Sequence, residues 1–499
     1  MLSFFSQAAL IFLVALFLAY VRIFRAISYS GGVPRIGKSG VLGYIQAALR
    51  WTVHSEAVIL EGRKAFAGRA FVIPTLSGPC FLLPPSYLER VRAGPDSKFN
   101  EMMAVNEDLQ LPYTMDEHQL STPYQARVLR TDVNRAIPSY VPEILDESIL
   151  AMDETFKDSD SNGLVVFDTM THLIARISNR VIFGQELCRN EHFLHVVVKF
   201  AETIALIAPF IHWSPSFLRP LVYFILSSIS GGKKAPLRYV VPFLQRRIHE
   251  LQTGEAKSNL VSDYIVQSAL PQESVTGIAV RLLNIEFGSI HTSSIFITQT
   301  LFEIALLSKE DIESMRSEIR EALDSEGGWT KPALDKFYMV DSALREIGRC
   351  YGLMHFALPR VALETCDLGD GTYVPANSKV AIDMKAIHFD PQIYPDPHKC
   401  DLFRFSNLRV KEGVDSSKYG FTTVDSHYLP FGAGRHACAG RQFASMELKI
   451  MLAHIILHYD VSYPAPITQR PENIIFNGAI VPDPKARLLF TPRELDRTY

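Results

Sequence analysis

Ten residues near the C-terminus carry the densest chemical pattern in the chain: FGAGRHACAG, Phe431–Gly440. Glycines at 432, 434 and 440 surround a single cysteine. Glycine admits positive-φ turns and lets backbone approach a ligand closely. Such a loop turns backbone N–H groups toward the Cys438 sulfur. With a helix starting at about Ala439, those donors favour a thiolate. A thiolate held this way suits the axial position on haem iron, where it pushes electron density toward O–O cleavage. A glycine-rich turn around one buried cysteine is the plain alternative, and the bare pattern leaves both open.

A second stretch, NIEFGSIHTSS (Asn284–Ser294), sets His291, Thr292, Ser293 and Ser294 into a long apolar helical run. Either these side chains form a satisfied structural cluster, or something polar binds beside them. A threonine hydroxyl can bond back to a carbonyl one turn earlier and bend a helix.

Taken whole, F-G-x-G-R-H-x-C-x-G closely resembles the haem-binding signature of the cytochromes P-450, the haem-thiolate monooxygenases. The resemblance implies haem b with Cys438 as the axial ligand of its iron. It implies Phe431 packed beside the sulfur, His436 near a propionate, and Gly440 letting the next helix pass close to the porphyrin. Ala439 stands where many members carry proline. EIGR (Glu346–Arg349) matches the family's E-x-x-R, whose ends share a helix face. DLFRF (Asp401–Phe405) resembles the segment that adds Arg404 to that pair, giving a buried structural trio. HFDPQIYPDP (His388–Pro397) matches the stretch preceding it. Arg360, in FALPRVALE, sits where the family often places a propionate-binding arginine, and a fork of donors suits a carboxylate. An exposed strand arginine is the bland alternative. The family's W-x-x-x-R is missing. PYQARVLR (Pro123–Arg130) occupies its region, and either Arg127 or Arg130 supplies that contact.

The family's [AG]-G-x-[DE]-T-[ST] aligns with Gly288–Ser293. Small Gly288 and Ser289 let a flat macrocycle and its oxygen approach the helix. The resemblance implies Thr292, with Ser293 beside it, positions the protons that cleave O–O. His291 stands where the family has an acid. It can cap a neighbouring backbone group, relay protons with an ordinary pKa of ~6.5, or serve as a second metal ligand. The IHTSS variant resembles fungal secondary-metabolism members acting on terpenoid or polyketide skeletons.

These residues need elements to hold them. Short β-like pieces, Ala70–Leu76 and Cys80–Pro85, come first. Helical periodicity dominates from about Pro123 to Leu323. A near-unbroken helix covers Pro271–Lys309, a second covers Pro332–Cys350, strand signals return at Cys366–Ile382, and a last helix follows Cys438. Ala486–Pro492 reads as a final strand. The expected fold class is mainly α with small β-sheets, the cytochrome P-450 fold, with an N-terminal transmembrane helix.

Residues 1–21 carry no charge and are long enough to span a bilayer; a cleaved signal peptide is the rival reading, but it would want a basic stretch before the apolar core, and none is there. Arg22, Arg25, Arg35 and Lys38 follow, which places the remainder on the cytosolic side. The expected organisation is an anchor at 1–21, a basic Gly/Pro hinge at 22–40 and one haem-thiolate domain at 41–499. The six cysteines show no CxxC spacing, and five read as small buried hydrophobes. A net charge of −3 without a basic run excludes a nucleic-acid partner.

By the resemblance, the pocket draws on Asn106–Tyr113, Ala201–Leu226, Ile285–Thr292, Met354–Leu358 and Asn477–Ile480. These segments are mostly apolar, so the expected substrate is a lipophilic small molecule, a terpenoid first and a polyketide- or alkaloid-derived compound second. The apolar run Phe193–Ile229 reads as core or as membrane-dipping. No flavin or nicotinamide motif occurs. The resemblance therefore implies electrons from an NADPH-dependent flavoprotein reductase, with cytochrome b5 as a second donor, at the endoplasmic reticulum membrane. Arg435, Arg441 and Lys449 form a candidate docking face, or are merely solvated. An oxygen-independent haem-thiolate isomerase or dehydratase and a haem-free membrane-tethered binding protein are the competing functions.

Overall fold

The helical periodicity after Pro123 folds into a packed helical body, with the β pieces gathered at its ends. The computed structural model describes residues 32–494, except 117, 158–160, 256–258, 370, 413–415 and 468. The expected membrane anchor and the first part of the hinge lie outside the described residues.

The central helix runs Val275–Ile304, about 45 Å at ~1.5 Å per residue. It is shorter than its apolar pattern because Ser274 caps it, accepting a hydrogen bond from the Gly277 N–H. Around it pack Val166–Ile182, Glu191–Trp213, Lys234–Thr253, Tyr338–Tyr351 and the C-terminal helix Arg441–His458. The helix expected over Pro332–Cys350 is two, Lys331–Asp335 and Tyr338–Tyr351. Phe337 breaks it with ψ 67 and anchors the break with a fully buried ring. The helix after the cysteine begins at Arg441, two residues later than expected.

A five-stranded sheet joins both ends of the sequence, in the spatial order Phe71–Thr75, Gly78–Leu83, Ser378–Ile382, Ala357–Ala362, Phe99–Asn100. Its register shifts between Ala357 and Arg360, where Leu358 takes φ +50°. Bulges of this kind re-aim a side chain, and here the side chain is Arg360. The final strand, Arg487–Pro492, pairs with Tyr459–Ser462 and Leu164–Val165.

The apolar run from Phe193 divides in two. Among the described residues, Glu191–Trp213 is the one helix long and apolar enough to cross a membrane, and half of that apolar window is buried in the protein. The following helix, Arg219–Ser230, buries none of its residues, and Leu221, Phe224, Ile225 and Ile229 are exposed.

Two carboxyls are sealed where the central helix, Val166–Ile182 and Arg441–His458 meet. Glu286 accepts from Asn179 Nδ2 at 3.1 Å, and Glu447 accepts from Ser178 Oγ at 2.5 Å. Burial, with no cation bonded to either among the described residues, pushes each pKa up to about 8. The folded state therefore keeps protons that the unfolded chain releases above its own pKa of ~4.3. Their contribution is complete below that value and is lost as pH climbs toward 8. Glu447→Gln should leave the thermal midpoint nearly unchanged at pH 5 and raise it at pH 8. Midpoints measured across that range check the sign.

Candidate active site

Cys438 sits at the floor of a cavity of about 400 Å³, its sulfur open to that space and otherwise enclosed by protein. Its N–H donates to the Phe431 carbonyl at 2.8 Å, which closes the glycine loop. Gly432 and Gly434 take φ +72° and +68°, the left-handed region that a side chain resists. Burial pushes the thiol pKa up. The Gly440 N–H, the Arg441 guanidinium and N–H, and Arg130 pull the other way. Phe431 stacks on Phe296 with centroids 6.1 Å apart and meets Phe421 edge-on at 4.9 Å.

The opposite wall is the middle of the central helix. Ile285, Gly288, Ser289, Thr292, Ser293 and Phe296 all line the cavity. Thr292 Oγ1 donates to the Gly288 carbonyl at 2.7 Å, the expected one-turn back-bond, within a helix that continues through it. Ser293 is buried at the same wall. His291 does not line the cavity. It bonds the Val198 backbone in helix Glu191–Trp213, near Glu202, and burial pushes its pKa down. Its Nε2 is buried without a partner among the described residues.

A Cβ added at Gly288 or at Gly440 would meet nothing within 4 Å. Both glycines line the same space, one on the helix and one beneath it. An open slot between a thiol and bare helix backbone fits a flat macrocycle. Gly288→Leu should improve helix propensity by roughly 1 kcal/mol while its side chain fills the slot. The expected outcome is an apoprotein at least as heat-stable as wild type, with haem content reduced several-fold, read by thermal unfolding and by haem per chain.

At the slot's edge a second cavity of about 260 Å³ is shared by Arg360, His436, Cys438, Met354 and the residues 356–359. Arg360 is buried rather than an exposed strand residue. It bonds the Pro359 carbonyl at 2.8 Å and lies 3.4 Å from Glu101. His436 Nδ1 meets Glu101 at 2.7 Å and its Nε2 meets Asp96 at 2.7 Å. The Glu101 bond, helped by Asp96, raises the His436 pKa against burial. Of the two candidate arginines in the preceding region, Arg130 donates to the Ala437 carbonyl at 3.2 Å, inside the cysteine loop. Arg127 is exposed.

Behind the slot, Glu346 is fully buried and pairs with Arg349 at 2.7 Å and Arg404 at 3.0 Å. Cys350 and Cys400 converge on the same carboxylate, the one metal-type cluster among the described residues, but two arginines already hold that carboxylate. The suggested docking trio does not survive. Lys449 is buried and ion-paired with Asp341 at 2.5 Å, and only Arg435 and Arg441 lie near the loop surface. Of the expected pocket segments, Ala201–Leu226, Met354–Leu358 and Asn477–Ile480 do not line the main cavity, whereas Met102, Val105, Leu111 and Leu353 do.

Sequence reasoning passed over three amides in the cavity wall: Gln119, Gln125 and Asn284. The spacing of Asn284, Gly288 and Thr292, each four residues apart on one helix face, was the available signal.

A slot bounded by a thiol on one side and helix backbone on the other belongs to the haem-thiolate class of protein. Comparison with known proteins agrees. The family model for cytochrome P450 matches residues 92–490. The chain is 30% identical to cytochrome P450 monooxygenase 71 of Postia placenta, across 93% of each chain. It is 29% identical to cytochrome P450 monooxygenase 103 of the same fungus, across 92% of this chain and 93% of the other. It is 28% identical to ent-kaurene oxidase P450-4 of Gibberella fujikuroi, across 90% and 89%. The chain belongs to the cytochrome P450 family. It is a monooxygenase that uses thiolate-ligated haem, a redox partner and a lipophilic substrate.

Proposed function

We propose that this monooxygenase hydroxylates a terpenoid skeleton in a fungal secondary-metabolite pathway, anchored in the endoplasmic reticulum membrane with its catalytic domain cytosolic. The observation that carries the reading is the cavity that joins Cys438 to Gly288, Ser289, Thr292 and Ser293 through a mostly apolar wall. Likeness to an ent-kaurene oxidase adds support for a terpenoid.

In this reading Cys438 ligates the iron. Arg360, His436 and Arg130 hold the propionate edge, and Phe431 packs beside the sulfur. When bound, the haem supplies the chemistry of O2 activation. The protein's own contribution is exclusion of water by the apolar walls and placement of one hydroxyl. Thr292 holds its proton on the Gly288 carbonyl in the resting chain and can turn it toward the cavity, with Ser293 beside it. His291 assists from the outer face of the helix, where its lowered pKa keeps it neutral and its bond to Val198 fixes its ring. Electrons come from an NADPH-dependent flavoprotein reductase, with cytochrome b5 as a second donor.

The test is reconstitution with a fungal reductase after comparison of metabolites between a knockout strain and its parent. Thr292→Ala should keep NADPH and O2 consumption within a few-fold of wild type while product per NADPH falls about tenfold or more, since placed proton donors contribute ~10²–10⁴-fold. Full coupling in the variant, or accumulation of a non-terpenoid precursor in the knockout, overturns the corresponding part.

A further inference from the structure

The cavity wall contains an ordered relay of amides. Arg281 is buried, and every polar atom of its guanidinium is engaged. Nε pairs with Glu273 at 2.5 Å, Nη1 donates to the Thr122 carbonyl at 2.7 Å and to Gln125 Oε1 at 2.9 Å, and Nη2 donates to Thr122 Oγ1 at 3.2 Å. Its plane also covers the Tyr124 ring at 4.1 Å. Arginine can only donate. Gln125 must therefore turn its oxygen to Arg281, which leaves its NH2 facing Gln119 Oε1 at 3.4 Å. That oxygen also accepts from Asn284 Nδ2 at 2.5 Å. The Gln119 NH2 group in turn points to the Val280 carbonyl at 3.4 Å.

The orientation of an amide is ordinarily ambiguous, but here a donor-only anchor fixes the whole series. The series ends at Asn284, whose Oδ1 receives no hydrogen bond from the described residues. Asn284 lines the cavity eight residues before Thr292, about 12 Å along the helix axis. Ile285, Met102 and Val105 belong to the apolar lining of the same cavity. The end of the relay is also neutral, because Glu273 balances Arg281.

We propose that Asn284 Oδ1 is a specificity-determining acceptor that selects an apolar skeleton already carrying one hydroxyl, held remote from the carbon to be oxidised. This rests on the reading of the cavity as the substrate pocket. A neutral acceptor in an apolar wall favours an alcohol over both its parent hydrocarbon and a carboxylate, because a bare acceptor facing hydrocarbon loses its hydration without replacement. The substrate is then supplied by a step that installs an oxygen, either an earlier hydroxylation or a cyclisation quenched by water.

The test uses haem-loaded enzyme and three-member sets: cedrane, cedrol and cedryl methyl ether, and androstane, androstan-3β-ol and its methyl ether. Affinities are read by the absorption shift of the haem and, independently of haem, by equilibrium dialysis. At least one alcohol should bind about tenfold tighter than its hydrocarbon, the worth of about one hydrogen bond. Its ether, which cannot donate, should bind no better than the hydrocarbon. Asn284→Leu should abolish the preference, and Asn284→Gln, which keeps both a neutral amide oxygen and an NH2 to face Gln119, should retain it. Equal binding of alcohol and hydrocarbon by the wild type, an ether that matches the alcohol, or a preference that persists in Asn284→Leu overturns the proposal. An alcohol preference seen by dialysis without any haem shift would instead count against the haem-pocket reading while leaving the acceptor in place.

Discussion

Cys438→Ser yields a folded protein whose reduced, CO-bound spectrum lacks the thiolate-type band and whose monooxygenase turnover falls to background. The reasoning starts from the loop. Cys438 faces the cavity, so the oxygen-for-sulfur exchange disturbs no packed core contact. The loop hydrogen bond from its N–H to Phe431 is backbone and survives. What changes is the ligand atom. A hydroxyl beside the Gly440 and Arg441 N–H groups stays protonated, whereas a thiol in the same place can be held as thiolate. Changing a group that hydrogen-bonds a metal ligand typically costs ~10–100-fold, so losing the ligand itself should cost at least ~10²-fold. Parallel thermal unfolding, with a midpoint close to wild type, separates lost ligation from lost fold. A retained thiolate-type band would overturn the assignment.

Glu346→Ala is expected to have the largest effect on stability. Glu346 accepts from Arg349 Nε and Nη2, from Arg404 Nε and from the Asp401 N–H. Arg349 and Arg404 in turn donate to the carbonyls of His388, Pro395, Pro397 and Lys399. One carboxylate thus holds a buried cation, Arg349, and a partly buried one, Arg404, which tie the proline-rich coil to helix Tyr338–Tyr351. Removing one member of a buried ion pair costs ~3–5 kcal/mol, because the other charge stays buried and unpaired. Whole domains are stable by only ~5–15 kcal/mol. The variant should give little haem-loaded protein, a sharply lowered thermal midpoint and rapid proteolysis in the coil between 389 and 403. Wild-type behaviour there would mean that the trio carries no structural load.

The sequence disclosed the site unevenly, for physical reasons. The cysteine loop was legible because glycine positions, cysteine and loop ends all lie within ten residues, and the geometry is local. The central helix was legible from its apolar period, although its ends were not. Ser274 and the turn at Ala305 set those, and capping is decided by single residues. Long-range pairing was not legible. Lys449 reads as a solvated helix residue until Asp341, from another helix, is brought to its Nζ. Glu286 reads as the polar edge of an apolar helix, yet it is sealed against Glu447 and Asn179. The relay ending at Asn284 required Gln119, Gln125 and Arg281 to converge from separate segments, and no spacing within any one of them announces it. His291 stands out in the sequence because it occupies the place of the family's acid. Its direction, away from the cavity and toward Val198, is a rotational fact about the helix that residue types alone do not give.

The cations at the edge of the slot are already neutralised. Glu101 stands against both Arg360 and His436, and Asp96 against His436. A macrocycle whose carboxylates came to rest there would be exchanging one anion for another rather than filling an empty positive well. The charge in that corner would be nearly the same before and after. Loading would then draw little force from attraction between opposite charges. It would depend on the sulfur below and on the apolar faces around it, with Glu101 as the counter-ion that must be released.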